Sequence, residues 1–225
     1  MEQSTKKIDV YLELGKKRTF AGAIEWPGWC RSGRDEHAAL KALCDYGPRY
    51  AGVLRPAQLE FQAPADASAF AVIERLEGDA TTDFGAPGRP PSSDTKLVDE
   101  AELRRFQDLL KACWQAFDAA ASAATGKELH KGPRGGGRNL EGIVQHALGA
   151  EAGYLTRVGG KLMKGEENDL GRNRQAILDA LASAARGEVP AQGPRGGTRW
   201  TPRYFVRRLA WHVLDHAWEL EDRIT

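Results

Sequence analysis

The closing segment of the chain, residues 201–224, carries the pattern that most constrains the fold. Thr201 is a good helix N-cap, and Pro202 suits the first helical position because it has no N–H to leave unsatisfied. An apolar stripe with two histidines follows at helical spacing: Phe205, Leu209, His212, His216 and Leu220. We therefore predict a long helix that directs both histidines to the interior, with Arg207 and Asp215 directed elsewhere.

The two histidines are spaced to bind one metal ion together. Residues four apart lie about 40° apart around a helix axis, so His212 and His216 leave from one face. A third histidine, His146, lies in the middle of a second predicted helix that Asn139 can cap. The alternative is a structural group, because HxxxH spacing also arises by chance and buried histidines often only satisfy hydrogen bonds. We predict a divalent-metal site on His146, His212 and His216.

Two further residues are weaker candidates for catalysis. Glu219 lies about 20° from His212 around the same helix, so it can orient an imidazole or approach the ion. Tyr154, one face over from His146, either donates a proton or only packs. Small residues share the face of His146 and predict either close helix packing or a cavity above the imidazole: Gly142, Ile143, Gly149, Ala150 and Gly153.

The composition of the chain argues against several classes of protein. The net charge of +1 argues against a broad nucleic-acid footprint. No stretch approaches the roughly 20 apolar residues of a membrane span, and the polar start is not typical of a signal peptide. We expect a cytoplasmic protein with neither a nucleic-acid nor a membrane partner. Cys30, Cys44 and Cys113 lack CxxC spacing and are expected to be reduced, with Cys113 a core residue rather than a nucleophile.

The composition of the sequence changes at residues 85–96. This segment is rich in Gly, Pro and Ser and predicts a linker. Residues 1–84 predict a small α+β domain. The segments KIDVYLEL and RTFAGAIEW alternate around Gly15 and predict a β-hairpin. Ser32 is expected to cap the helix DEHAALKALCDY, and the runs AQLEFQA and AFAVIERL are expected to be further strands.

Residues 97–225 predict an all-α domain. Helical spacing of apolar residues indicates four helices, over residues 97–123, 139–158, 168–186 and 201–224. Four such helices predict a four-helix bundle, a fold whose core commonly holds metal ions on side chains from facing helices. The predicted fold is therefore an α+β N-terminal domain followed by an all-α four-helix bundle.

A central histidine in the second of these helices and the motif AWHVLDHAWELEDR in the last resemble the DinB/YfiT-like superfamily of four-helix metalloproteins. The resemblance covers roughly residues 97–225. It implies that His146, His212 and His216 bind a divalent metal, usually zinc or nickel. Characterised relatives are thiol-dependent transferases and isomerases that use bacillithiol, mycothiol or glutathione, whereas many members have no known activity, and this chain most resembles those. The family's frequent further histidine, one turn beyond the HxxxH, is Leu220 here.

The N-terminal region resembles HicB-like antitoxin domains over about 45 residues, through its order of strand, turn, strand and helix. This resemblance carries no sharp motif. It implies a partial double-stranded-RNA-binding fold, but the segment is slightly acidic and offers no basic patch. We expect an accessory or dimerising domain, and hence a possible homodimer.

Nearly the same loop precedes both histidine-bearing helices: GPRGGGR at 132–138 and GPRGGTR at 193–199. One interpretation is an old duplication with glycines serving the turns. The other assigns the loop arginines, Arg134, Arg138, Arg195 and Arg199, to binding the carboxylate of a substrate or thiol.

The expected chemistry follows from the ligand set. Three neutral imidazoles leave an open position on the ion, where a thiol loses its proton and becomes a nucleophile. The expected reaction is an S-transfer or isomerisation, with a low-molecular-weight thiol as cosubstrate and a small electrophile as substrate. The same position can instead activate water, which predicts a hydrolase. The third alternative is a non-enzymatic ligand-binding or regulatory protein with a structural histidine cluster.

Overall fold

The computed structural model describes residues 7–131, 137–162 and 169–224. The chain divides into two compact units, Met1–Asp94 and Thr95–Thr225. The first contains a four-stranded sheet, and the second is built from four long helices. The chain is thus a mixed α and β protein in which the sheet comes first and helices follow.

The first unit is a mixed sheet with short helices. Its elements are β1 (Ile8–Leu14), β2 (Thr19–Ala23), β3 (Cys30–Gly33), α1 (Glu36–Asp45), α2 (Gly47–Leu54), β4 (Phe70–Glu77) and α3 (Ala80–Phe84). The strand order is β3-β2-β1-β4, with β1 antiparallel to β2 and parallel to β4. The predicted hairpin is present, and Leu14 pairs with Thr19 beside its turn.

Two local predictions in this unit are wrong. The N-cap of α1 is Asp35, whose side chain accepts from Ala38 N at 2.8 Å, whereas Ser32 lies in β3. The run AQLEFQA forms no strand. Its Phe61 instead packs edge-on against Trp29, with ring centroids 4.8 Å apart, and against Tyr50 at 5.0 Å. The apolar side chain therefore contributes to an aromatic core without backbone pairing.

The segment predicted to be a linker belongs in part to the first unit. Residues 85–94 lie within that unit. The buried carboxylate of Glu13 on β1 accepts the backbone N–H groups of Gly88 and Arg89 at 3.0 Å and the hydroxyl of Thr82. Burial raises the pKa of Glu13. These bonds hold the Gly- and Pro-rich segment against the sheet.

The second unit contains α4 (Glu100–Ala124), α5 (Leu140–Arg157), α6 (Leu170–Ala185) and α7 (Pro202–Arg223). They overlap the four predicted ranges. Asp99, Asn139, Asp169 and Thr201 each accept a backbone N–H of the first turn and so fix where the helices begin. In the described part of the chain, no helix is both long and apolar enough to cross a membrane.

Helix α7 contacts α4, α5 and α6 and is the most deeply buried helix of this unit, with 15 of its 22 residues buried. His212 is 6% exposed and His216 is 8% exposed. The prediction that Arg207 points away from the interior is wrong, since its side chain is also buried. Because most of the surface of α7 is covered, a polar residue outside the apolar stripe still lies inside.

Candidate metal centre

The structure brings the three predicted ligands together. His146 on α5 and the pair on α7 have candidate ligand nitrogens that all lie within 4.8 Å of one another. The ring centroids of His212 and His216 are 4.6 Å apart, and that of His146 lies 5.1 Å and 4.9 Å from them, respectively. Two helices therefore converge on one cluster of imidazoles.

The spacing of two ring nitrogens fits a shared ion. His212 Nε2 and His146 Nε2 are 3.3 Å apart. Two nitrogens bound to a tetrahedral zinc ion, each about 2.0–2.1 Å from the metal, lie about 3.3 Å from each other. Imidazole is a ligand that suits zinc and nickel. The donor set and this distance are thus compatible with the metal that the sequence predicts.

The hydrogen bonding of His216 directs its free nitrogen to the cluster. Its Nδ1 lies 2.8 Å from Glu219 Oε2. Because an ionised carboxylate only accepts, Nδ1 carries the proton, and the lone pair is on Nε2. The bonds from His216 and Arg223 lower the pKa of Glu219, which keeps it ionised. The structure thus places Glu219 behind an imidazole, in the orienting role, and a carboxylate behind a histidine is the usual arrangement at metal sites.

Arg223 ties this arrangement to the start of the helix that carries His146. Its guanidinium donates to Glu219 Oε1 at 2.6 Å, to the carbonyl of His130 at 2.7 Å and to that of Arg138 at 3.0 Å. A Cβ at Gly137 would lie 2.9 Å from Arg223 Cζ, so this loop glycine lets the guanidinium approach. The end of α7 and the loop before α5 are therefore held in one network.

The electrostatics keep two of the imidazoles neutral. Burial is the main cause that lowers the pKa of His212 to about 2, and the nearby His216 and Arg208 side chains contribute. Burial also lowers the pKa of His146, with a smaller contribution from Arg138. Neutral imidazoles are the form that binds a metal, so no proton has to leave these two rings at neutral pH.

One ring nitrogen of His212 has no partner in the cluster or outside it among the described residues. Its Nδ1 is buried and has no hydrogen-bond partner among the described residues. A buried polar atom without a partner is costly, and such atoms in folded proteins commonly mark a functional site or a bound species. The other ring nitrogen, Nε2, lies 3.3 Å from His146 Nε2, within hydrogen-bonding distance.

Comparisons with known proteins add no relative to this description. No protein-family model, no curated protein and no solved structure matches the chain. The interpretation of the cluster therefore rests on its geometry and chemistry.

The loop arginines predicted to bind anions have different surroundings. Arg134 lies outside the described residues. Arg138 is exposed but near enough to lower the pKa of His146 and His212. Arg199 donates to the carbonyl of Pro190, and Arg195 is exposed on a tight hairpin. Of the described loop arginines, only Arg138 has an electrostatic link to the histidines.

Arg208, which was not among the predicted site residues, lies near the cluster. Arg208 Cζ lies 5.5 Å from the ring centroid of Tyr154, and that ring lies 5.7 Å from the ring of His212. The positive charge of Arg208 contributes to lowering the pKa of His212. Its position four residues before His212 was the available signal, because that spacing places it on the same face of α7 one turn earlier.

The small residues around His146 leave space rather than a helix contact. A Cβ added at Gly149 or at Gly153 would meet no described atom within 4 Å. Both glycines are exposed and His146 is half-buried. Close helix packing at these two positions, one of the two predicted interpretations, is wrong for the described residues.

The chain's own cysteines are not part of the cluster. Cys30, Cys44 and Cys113 are buried thiols. Burial raises the pKa of the Cys113 and Cys44 thiols. A buried thiol with a raised pKa is a poor nucleophile, so any reactive thiol at the site has to come from a bound molecule.

Proposed function

We propose that this protein is a divalent-metal-dependent enzyme in which His146, His212 and His216 bind one ion, zinc or nickel. The observation that carries the proposal is the convergence of three imidazoles from α5 and α7 with two Nε2 atoms 3.3 Å apart. The carboxylate behind His216, the usual partner of a metal-binding histidine, favours a bound ion.

We further propose that α4–α7 form a DinB-like four-helix bundle. Support comes from the contacts of α7 with the three other helices, and from the position of one ligand on the second helix and two on the last. This arrangement is the one that the sequence resemblance implies. The first unit, with its four-stranded sheet, is proposed to be an accessory domain of the HicB-like kind.

The proposed reaction is a thiol-dependent S-transfer or isomerisation. When bound, the ion supplies an open coordination position at which a thiol, whose ordinary pKa is about 8.5, loses its proton at neutral pH. In the transfer, a sulfur–carbon bond forms while the leaving group departs with the electron pair of its own bond to carbon, and the thiol proton is released.

The chain's residues have distinct roles in this proposal. Glu219 holds the proton of His216 on Nδ1 and so fixes both the tautomer and the direction of the ring. Tyr154 packs edge-on against His212, and burial raises its pKa, so its hydroxyl stays protonated and can donate to the substrate. Gly149 and Gly153 are exposed on the face of α5 that carries the half-buried His146, and small molecules are proposed to approach His146 from this side.

The test is a panel of low-molecular-weight thiols with a haloaromatic electrophile, using protein loaded with zinc or nickel. The proposal predicts metal-dependent loss of free thiol, abolished in His212→Ala and retained in His37→Ala, which removes an exposed histidine of α1. Absence of metal-dependent thiol consumption across the panel would overturn the S-transferase proposal. Metal-dependent ester hydrolysis in the same protein would assign a hydrolase instead, and a metal-loaded protein without either activity would favour a binding or regulatory role.

A further inference from the structure

Arg208 lies beside the candidate metal centre and has no acidic partner among the described residues. Its Nη1 is buried and has no hydrogen-bond partner among the described residues. Other arginines of the same unit are paired: Arg174 with Asp118, Arg186 with Glu100, Arg203 with Glu102, and Arg223 with Glu219. A guanidinium nitrogen buried without an acceptor is costly, so the surroundings of Arg208 need an explanation.

Two aromatic rings hold this guanidinium in place. Its Cζ lies 4.6 Å from the ring centroid of Trp211 and 5.5 Å from that of Tyr154. Aromatic rings attract the cation but accept no strong hydrogen bond from its N–H groups. The donors of Arg208 are thus positioned and left available to an anion.

The location of Arg208 would place such an anion beside the candidate metal centre. Arg208 precedes His212 by one helical turn on the same face of α7. The ring of Tyr154 contacts both side chains, since it lies under the guanidinium and edge-on to the imidazole of His212. A small molecule that reaches Arg208 therefore also lies beside His212.

We propose that Arg208 binds the carboxylate of the molecule that reacts at the histidine cluster. The guanidinium fork matches the planar carboxylate and can bind it through two parallel hydrogen bonds. This inference rests on the proposed function for the reaction, and it names the substrate class: a thiol or an electrophile that carries a carboxylate. Arg208 is a binding residue in this account, and its partner anion is supplied by the ligand.

Two pairs of ligands distinguish whether the carboxylate belongs to the thiol or to the electrophile. Cobalt-loaded protein is titrated with mercaptopropionate and with mercaptopropanol, and the visible absorption of the ion reports thiol binding. Metal-free and cobalt-loaded protein are each titrated with a chloronitrobenzoate and with the corresponding chloronitrobenzamide by calorimetry. In at least one pair the acid is expected to bind about tenfold or more tightly than its neutral analogue.

The same titrations with variants test whether Arg208 causes the preference. Arg208→Gln is expected to abolish it, and Arg208→Lys to retain part of it, because the charge remains and the fork is lost. Arg186→Gln, which removes the same charge from the exposed surface of the same unit, is expected to leave it unchanged. If Arg208→Gln does not fold, judged by circular dichroism, the Arg208→Lys comparison decides.

The outcomes separate this inference from the proposed function. Equal binding of acid and neutral analogue in both pairs, or a preference that survives Arg208→Gln, overturns the role of Arg208. Failure to bind cobalt overturns the proposed metal enzyme, while the benzoate pair on metal-free protein still decides whether Arg208 binds a carboxylate.

Discussion

Glu219 Oε2 accepts the Nδ1 proton of His216 at 2.8 Å, and this bond fixes which nitrogen of His216 faces the other two histidines. The opposite oxygen of the same carboxylate accepts from Arg223 at 2.6 Å. Three residues within two turns of one helix thus build a support for a metal ligand. The carboxylate and the guanidinium thus orient one imidazole of the cluster.

Replacing Glu219 by Gln is predicted to weaken metal binding without unfolding the protein. Loss of a carboxylate behind a metal-binding histidine typically costs about 10- to 100-fold in metal affinity. The measurement is a competition titration of zinc against a chromophoric chelator. Glu221→Gln, an exposed change two residues further along α7, is the matched control. Equal affinity of Glu219→Gln and wild type would show that the carboxylate does not support a ligand.

Acid is predicted to destabilise the metal-free protein through His212. The folded pKa of about 2 lies below the ordinary value of 6.5, so the unfolded chain binds the proton more readily. The free energy of unfolding that depends on burying His212 in its neutral form is therefore fully present above about pH 6.5. It falls by about 1.4 kcal/mol per pH unit as the pH is lowered. From about pH 6.5 to about pH 5, His212 alone contributes a loss of about 2 kcal/mol.

Urea unfolding of metal-free protein at several pH values measures this effect. His212→Leu is expected to flatten the dependence below about pH 6.5 because the group that takes up the proton on unfolding is gone. The exposed His37→Leu change serves as control. A pH dependence that is the same in wild type and in His212→Leu would contradict the buried, neutral state of this imidazole.

Gly149→Ala is predicted to stabilise the protein by about 1 kcal/mol, since alanine favours a helix and the new methyl group meets no described atom within 4 Å. Gly160→Ala is the contrasting change, because its Cβ would collide with Leu155 and lie 2.8 Å from the Cβ of Ala180. Thermal unfolding measures both. Destabilisation by Gly149→Ala would mean that a neighbouring segment packs on this face after all.

The native cysteines are predicted to resist thiol reagents. Cys30, Cys44 and Cys113 are buried, and a raised pKa leaves little thiolate on Cys44 or Cys113. Labelling with a chromogenic disulfide should be slow in buffer and complete in denaturant. Rapid labelling of one cysteine in folded protein would reopen the question of a nucleophile within the chain.

The positions of the helices were readable from sequence because local signals agree there. Asn139 and Thr201 each precede an apolar stripe, and both cap their helix as predicted. In the first unit the signals conflict. Phe61 lies in a run with the pattern of a strand, but its side chain packs against Trp29. Ser32 was predicted to cap α1, whereas Asp35, three residues later, is the N-cap. Tertiary packing and competing caps decided those cases, and neither is visible in a short window of sequence.

The candidate metal centre was predictable in its ligands but not in its surroundings. The HxxxH spacing and a histidine on a second helix were sufficient to propose His146, His212 and His216. Arg208 was missed because its significance depends on what is absent around it, namely an acidic partner among the described residues. Pairing of charges between helices depends on how those helices pack, and no residue pattern within one helix specifies it.

Metal content and coordination test the central claim most directly. Wild-type protein, loaded with zinc and then dialysed, is analysed for bound metal and by X-ray absorption spectroscopy. The account predicts about one zinc ion per chain with three histidine nitrogens at about 2.0–2.1 Å. Single changes of His146, His212 or His216 to Ala are expected to remove the metal. Folded wild-type protein that retains no stoichiometric zinc or nickel, or variants that bind as wild type does, would contradict it.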